Sequence, residues 1–128
     1  MIQTSLVLAA DAPAALATFY GTLLEVVPQP GLSPSHWRVP WPAGGWLEIY
    51  APSRQRPQPQ QQGRLAVCLQ RRAQDSDPRT ALLAWLTQAQ ALGATALEPA
   101  RQESFGTEVW VLDPEGNRVL LLVRKGET

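Results

Sequence analysis

Residues 105–123, FGTEVWVLDPEGNRVLLLV, read as strand, tight turn, strand. Thr107 to Leu112 is β-branched, aromatic and apolar around one charge, Glu108. Asp113-Pro114-Glu115-Gly116-Asn117 carries turn chemistry at every position. Proline sets φ at the corner, glycine supplies positive φ, and Asp and Asn bond nearby backbone. Val119 to Val123 is a continuous apolar run, as a strand buried on both faces would be. A hairpin of this kind must close a sheet, and the rest of the chain has to supply what the sheet packs against.

Upstream of the hairpin the order is strand, helix, short strand. Residues 64–70 form an apolar strand, Asp77 with Pro78 opens a helix, and Leu82, Leu83, Trp85, Leu86 and Leu92 give that helix its apolar stripe. Gly93 ends it, and Thr95 to Leu97 make a short strand. The first half has the same order. Residues 2–9 form a strand, Asp11 caps a helix with Pro13 in its first turn, and Leu16, Phe19, Tyr20, Leu23 and Leu24 form the stripe. Short strands are expected at Val26-Val27 and at His36–Val39, and a strong one at Trp46–Tyr50. Residues 51–62, APSRQRPQPQQQ, are Pro- and Gln-rich and read as an extended, mobile linker. The organisation is one domain, 1–128, of two modules (1–52 and 63–124) joined by a linker at 53–62. The fold class is α+β.

Composition narrows the function. The 128 residues carry 11 basic and 11 acidic side chains, so neither nucleic acid nor an anionic membrane is expected as a partner. The single cysteine, Cys68, forms no internal disulfide and reads as a small buried hydrophobe. The first residues have neither a basic region nor a long apolar run, so a soluble, cytoplasmic protein is the expectation. There is no phosphate-binding glycine loop, no GxSxG and no HExxH.

Three segments together resemble the vicinal oxygen chelate superfamily, which includes glyoxalase I, bleomycin-resistance proteins and extradiol dioxygenases. Ala17-Thr18-Phe19-Tyr20-Gly21-Thr22-Leu23-Leu24 is similar to its first-helix signature, with Glu25 where glycine is common. Gly45-Trp46-Leu47-Glu48-Ile49-Tyr50 is similar to its fourth strand, and Val111 to Asn117 to the turn after its seventh. The resemblance implies two βαβββ modules whose curved sheets enclose a cleft, often in a homodimer. It also implies four metal-ligand positions, which fall on Ser5, Glu48, Arg64 and Leu120. Gln3 is the nearest substitute in the first strand, and nothing near Leu120 is one. Of the four, only Glu48 is a metal ligand by type, since arginine is always protonated and leucine has no donor atom. The resemblance therefore implies the fold without the family's metal, and no cofactor is expected.

Arg64 and Glu48 are expected to pair where the metal would sit, because a lone carboxylate in an apolar cleft is costly. Trp46 and Tyr50 share the pleat face of Glu48, and Trp110 lies on the hairpin strand. Glu48, Arg64, Trp46, Tyr50, Trp110 and Ser5 are thus the candidate ligand-binding residues. The other aromatics are assigned differently. Trp85 reads as core, and Trp37 and Trp41 lie in a Pro-rich segment, Ser33–Pro42, that reads as a mobile flap. His36 in that segment reads as exposed, and Glu103 and Glu108 as solvated. The function expected is binding of a small aromatic or amphipathic molecule without metal, as in bleomycin-resistance-type proteins. The alternatives are a metal-independent lyase or isomerase with Glu48 as general base, or an interaction protein with a closed cleft. A metal-dependent glyoxalase or dioxygenase is not expected.

Overall fold

The computed structural model describes residues 1–60, 63–74 and 77–126. The chain divides into two compact units, residues 1–61 and 62–128. In the first, β1 (Ser5–Ala9), α1 (Pro13–Leu24), β2 (Gln29–Pro30), β3 (His36–Pro40) and β4 (Trp46–Tyr50) follow in order. The sheet runs β1-β4-β3-β2, with β1 parallel to β4 and the other neighbours antiparallel. The second holds β5 (Val67–Arg72), α2 (Pro78–Ala91), β6 (Thr95–Ala96), β7 (Arg101–Glu103), β8 (Gly106–Leu112) and β9 (Arg118–Arg124). Its order is β5-β9-β8-β6, with β7 also on β8, and β5 is parallel to β9. The βαβββ order therefore occurs in both units, and the second adds β7.

Each helix covers one face of its own sheet, and strand alternation decides which residues meet it. In the first unit α1 packs on β3 and β4. Leu16, Phe19, Tyr20 and Leu23 bury against Val39, Leu47 and Ile49. Phe19 and Tyr20 meet edge to face with ring centroids 5.0 Å apart. In the second, Leu82, Trp85 and Ala89 of α2 bury against Val109, Val111, Val119, Leu121 and Val123. Full burial of a side chain of this size is worth about 1.5–3 kcal/mol, so each stripe holds its own helix to its own sheet. The run Val119–Val123 alternates: its odd-numbered residues are buried and Leu120 and Leu122 are half-buried on the opposite face.

The turn that joins β8 to β9 is built by one buried carboxylate. Asp113 Oδ1 accepts from the backbone N–H of Glu115 (2.9 Å) and Asn117 (3.0 Å), and Asn117 Nδ2 donates to Oδ2 at 2.9 Å. Gly116 takes φ +88°, which a side chain would resist.

Several local expectations are corrected. The N-cap of α1 is Ala12, not Asp11, and it has no side-chain cap, whereas Asp77 caps α2 by accepting the Thr80 N–H at 3.1 Å. Val26-Val27 is no strand; the short strand falls at Gln29–Pro30. The helix α1 ends instead in a left-handed Glu25, after which the Val26 N–H returns to the Gly21 carbonyl at 2.9 Å. Ser33–Pro42 is not a separate flap, because β3 runs through it and Trp37 sits half-buried opposite Ile49. The strand expected at 64–70 is β5 at Val67–Arg72, since Arg64 to Ala66 precede the pairing with β9. Leu83 is exposed rather than part of the α2 stripe. Cys68 is exposed, because odd and even positions of β5 separate and Leu69 takes the helix-facing side. Asp75, expected in a turn, lies outside the described residues.

The beginning of the linker is tied to the first sheet. Tyr50 Oη donates to the Pro57 carbonyl at 3.0 Å, and the guanidinium of Arg56 lies 5.5 Å from the Tyr50 ring centroid. Ser53 and Arg56 close a turn through the Ser53 N–H and the Arg56 carbonyl, 3.0 Å apart.

Candidate functional site

On the face of the first sheet away from α1, alternation places Trp46, Glu48 and Tyr50 of β4 together, beside Ser5 and Val7 of β1 and His36 and Arg38 of β3. Ser5, Val7, His36, Arg38 and Glu48, with Pro30, Gly31, Leu32 and Arg56, line an open pocket of about 520 Å³. Trp46 and Tyr50 flank Glu48 on the strand without lining the pocket themselves.

Glu48 is the centre of the site, and two side chains of β3 are its partners. Arg38 lies directly opposite it in the β3–β4 register and donates from Nε to both carboxylate oxygens, at 3.0 and 3.1 Å. His36 approaches diagonally and places Nε2 2.8 Å from Oε1. The Leu32 backbone N–H points at His36 Nδ1 from 2.9 Å. That nitrogen must accept, so the hydrogen sits on Nε2 and His36 donates to Glu48. His36 is only 7% exposed, which corrects the surface reading. The hairpin of β2 and β3 is what buries it: the Gly31 N–H donates to the His36 carbonyl at 2.8 Å, and Gly31 lies flat against the imidazole.

Arg64 is exposed and precedes β5, outside the sheet of the second unit. Within the first unit, register brings two donors of the neighbouring strand to the Glu48 carboxylate. Arg38 is held a second time, with its guanidinium carbon 4.0 Å from the Trp46 ring centroid. The two guanidinium groups that reach this pocket, Arg38 and Arg56, thus each lie over an aromatic ring of β4.

The remaining candidates are on the second sheet. Trp110 is half-buried on the face of β8 away from α2, across from Leu120. Beside it Glu108 is engaged rather than solvated: Arg101 Nη2 hydrogen-bonds to it, and Arg101 Nη1 donates to Glu98 Oε1 at 2.8 Å. The Glu108 contact, and after it the charges of Glu98 and Glu108, hold the Arg101 guanidinium further up than its ordinary range. Glu98 Oε1 also accepts the Trp110 backbone N–H at 3.2 Å, filling the gap between β6 and β7 on the edge of β8 away from β9.

The metal chemistry implied by the resemblance asks for donors from the first and last strands of each module. The implied positions are Ser5 of β1 and Glu48 of β4 in the first unit, and in the second Arg64, which precedes β5, and Leu120 of β9. Leucine offers no donor, and Glu48 already accepts from two side chains. Among the described residues no three His, Cys, Asp or Glu side chains come together as a metal set. A divalent ion takes several N or O donors in defined geometry.

Sequence reasoning missed His36 and Arg38. The signal was present in the turn at Pro42–Gly45: folding the chain back about that turn sets Arg38 opposite Glu48.

Two parallel-edged mixed sheets, each with one helix on one face, define an α+β protein of the glyoxalase and bleomycin-resistance class. The chain belongs to the glyoxalase-like domain family, whose sequence profile matches residues 5–122. No curated protein matches it. Among solved structures it is similar to a glyoxalase-related enzyme from Fulvimarina pelagi, at 20% identity and TM-score 0.74 over 97% of this chain and 89% of that one. It is also similar to a glyoxalase/bleomycin resistance protein/dioxygenase family enzyme from Burkholderia phytofirmans PsJN, at 17% identity and TM-score 0.65, covering 94% and 95%. A lactoylglutathione lyase from Agrobacterium tumefaciens matches at 20% identity and TM-score 0.59, covering 96% and 92%. At these identities the likeness is one of fold. No helix among the described residues is long and apolar enough to cross a membrane.

Proposed function

We propose that this protein binds a small planar or amphipathic molecule in the pocket around Glu48 and does so without a metal ion. The observation that carries the reading is the floor of the pocket. Glu48, Arg38 and His36 are fixed on two paired strands by three side-chain hydrogen bonds, with Trp46 beneath the guanidinium. Such a floor is preorganised, so little ordering cost falls on binding. An open pocket with a few convergent polar groups suits a small ligand. The residues at the family's ligand positions, Ser5 and Leu120 among them, support independence from metal. The bleomycin resistance proteins of this fold class are the nearest analogy, and a homodimer is part of that analogy.

A second reading has one observation in its favour. Glu48 lines the pocket, as a general base for a lyase or isomerase would. Against it, both carboxylate oxygens already accept hydrogen bonds, which leaves little capacity to take a proton from substrate.

Titration calorimetry of the purified protein against a panel of planar ligands, with metal content measured on the same sample, tests the proposal. The expected result is saturable binding that is unchanged by a chelator. A stoichiometric divalent ion, or binding abolished by chelation, overturns the metal-free reading. Turnover of a bound ligand that Glu48→Gln abolishes while binding persists favours the second reading.

A further inference from the structure

The charges that reach the pocket do not cancel. Arg38 and Arg56 bring two guanidinium groups, Glu48 brings one carboxylate, and His36 is in the tautomer that its Leu32 contact requires. Arg38 uses only Nε on Glu48, so the terminal Nη1 and Nη2 have no acceptor within the described residues. Its side chain is 35% exposed, open enough for that edge to meet a ligand. Arg56 has no carboxylate partner among the described residues, and its side chain contacts the Tyr50 ring instead. Each guanidinium carbon lies over an aromatic ring of the same strand, 4.0 Å from the Trp46 centroid for Arg38 and 5.5 Å from the Tyr50 centroid for Arg56. A planar fork of donors is the geometry that takes a carboxylate in two parallel hydrogen bonds, and the Nε contact to Glu48 orients that of Arg38.

We infer that the ligand of this pocket is an anion: a planar small molecule carrying a carboxylate, which the Nη edge of Arg38 receives and Arg56 helps to neutralise. The inference rests on the small-molecule reading above and specifies its ligand class. Glu48 and His36 become positioning residues. Glu48 orients Arg38 by taking Nε, and His36 orients Glu48. A cationic ligand would face the excess positive charge, and a neutral one would leave the Nη donors unmatched once water is displaced.

The test uses matched pairs that differ only in charge: benzoate with benzamide, 2-naphthoate with 2-naphthamide, and indole-3-acetate with indole-3-acetamide. Each is titrated by calorimetry and by amide chemical shifts into the full chain and into Arg38→Gln and Arg56→Gln. The expected result is that at least one carboxylate binds about tenfold or more tighter than its amide, the scale of one charge-assisted contact. That preference should shrink in Arg56→Gln, disappear in Arg38→Gln, and weaken with added salt. Equal binding of acid and amide overturns the anion inference while leaving the pocket reading intact. A preference unchanged in both variants overturns the assignment to these arginines. Binding by no member of any pair overturns the small-molecule reading and this inference with it. Arg56 is exposed, so Arg56→Gln decides the matter if Arg38→Gln fails to fold.

Discussion

Arg38 and Glu48 stand directly opposite each other on β3 and β4, joined Nε to Oε1 at 3.0 Å, on the sheet face that α1 leaves open. The pair is not isolated: the same Oε1 receives His36, and the same guanidinium lies over Trp46. Cross-strand opposition fixes both Cβ positions, so the contact costs less side-chain entropy than a surface ion pair between flexible chains.

Glu48→Ala is expected to destabilise the first unit by roughly 1–3 kcal/mol, because it strips the acceptor from the buried His36 Nε2 and from Arg38 at once. Urea unfolding followed by tryptophan fluorescence measures it. A change within a few tenths of wild type would mean that water satisfies both donors and that the floor of the pocket is not held by Glu48.

Gly31→Ala tests the other side of the histidine. A Cβ there would overlap Cγ and Nδ1 of the imidazole. The ring must move, and both of its hydrogen bonds go with it. The expected cost is about 1–3 kcal/mol, accompanied by a shift of the His36 ring resonances in NMR spectra. A variant with wild-type stability and unshifted ring signals refutes the packing described here.

Glu25 is in the left-handed region, at φ 59°, where the Schellman-like end of α1 favours glycine. Glu25→Gly relieves that strain and gives back part of the gain through a freer unfolded chain. The net expectation is stabilisation of about 0.5–1 kcal/mol, seen as a Tm raised by roughly 2–4 °C. Loss of stability would show that the Glu25 side chain contributes more than its backbone costs.

Cys68 is exposed, yet its thiol is held above its ordinary range by partial burial and then by the nearby Glu108 charge. The thiolate is the nucleophile, so alkylation by iodoacetamide should be slower than that of free cysteine at pH 8, with its pH–rate midpoint displaced upward. Glu108→Gln should move the midpoint down. The folded protein holds this proton more tightly than the unfolded chain does. Whatever stability the thiol contributes is therefore intact below the unfolded-chain value and lost as pH rises through the folded one. A midpoint at or below that of free cysteine contradicts the assigned surroundings.

The hairpin around Asp113–Asn117, the two Pro-led helices and the strand Trp46–Tyr50 were legible because each rests on local chemistry: turn residues, helix starts, and periods of two or 3.6. Those elements in that order carried the βαβββ repeat and the family. Alternation along β4 also placed Trp46, Glu48 and Tyr50 on one face before any partner was known.

Which residue meets Glu48 lay beyond that local information. A strand's period says which way a side chain points but not what stands across from it; that depends on register, and register is set by the turn between β3 and β4. The sequence suggested Arg64 by charge and by analogy, while the tertiary structure put Arg38 and His36 within hydrogen-bond reach. The short strand expected at His36–Val39 is β3, and its pairing with β4 makes it part of the sheet and not of a flap. The sequence by itself determined the architecture. The partner, and through it the charge of the pocket, was decided only when two strands took one register.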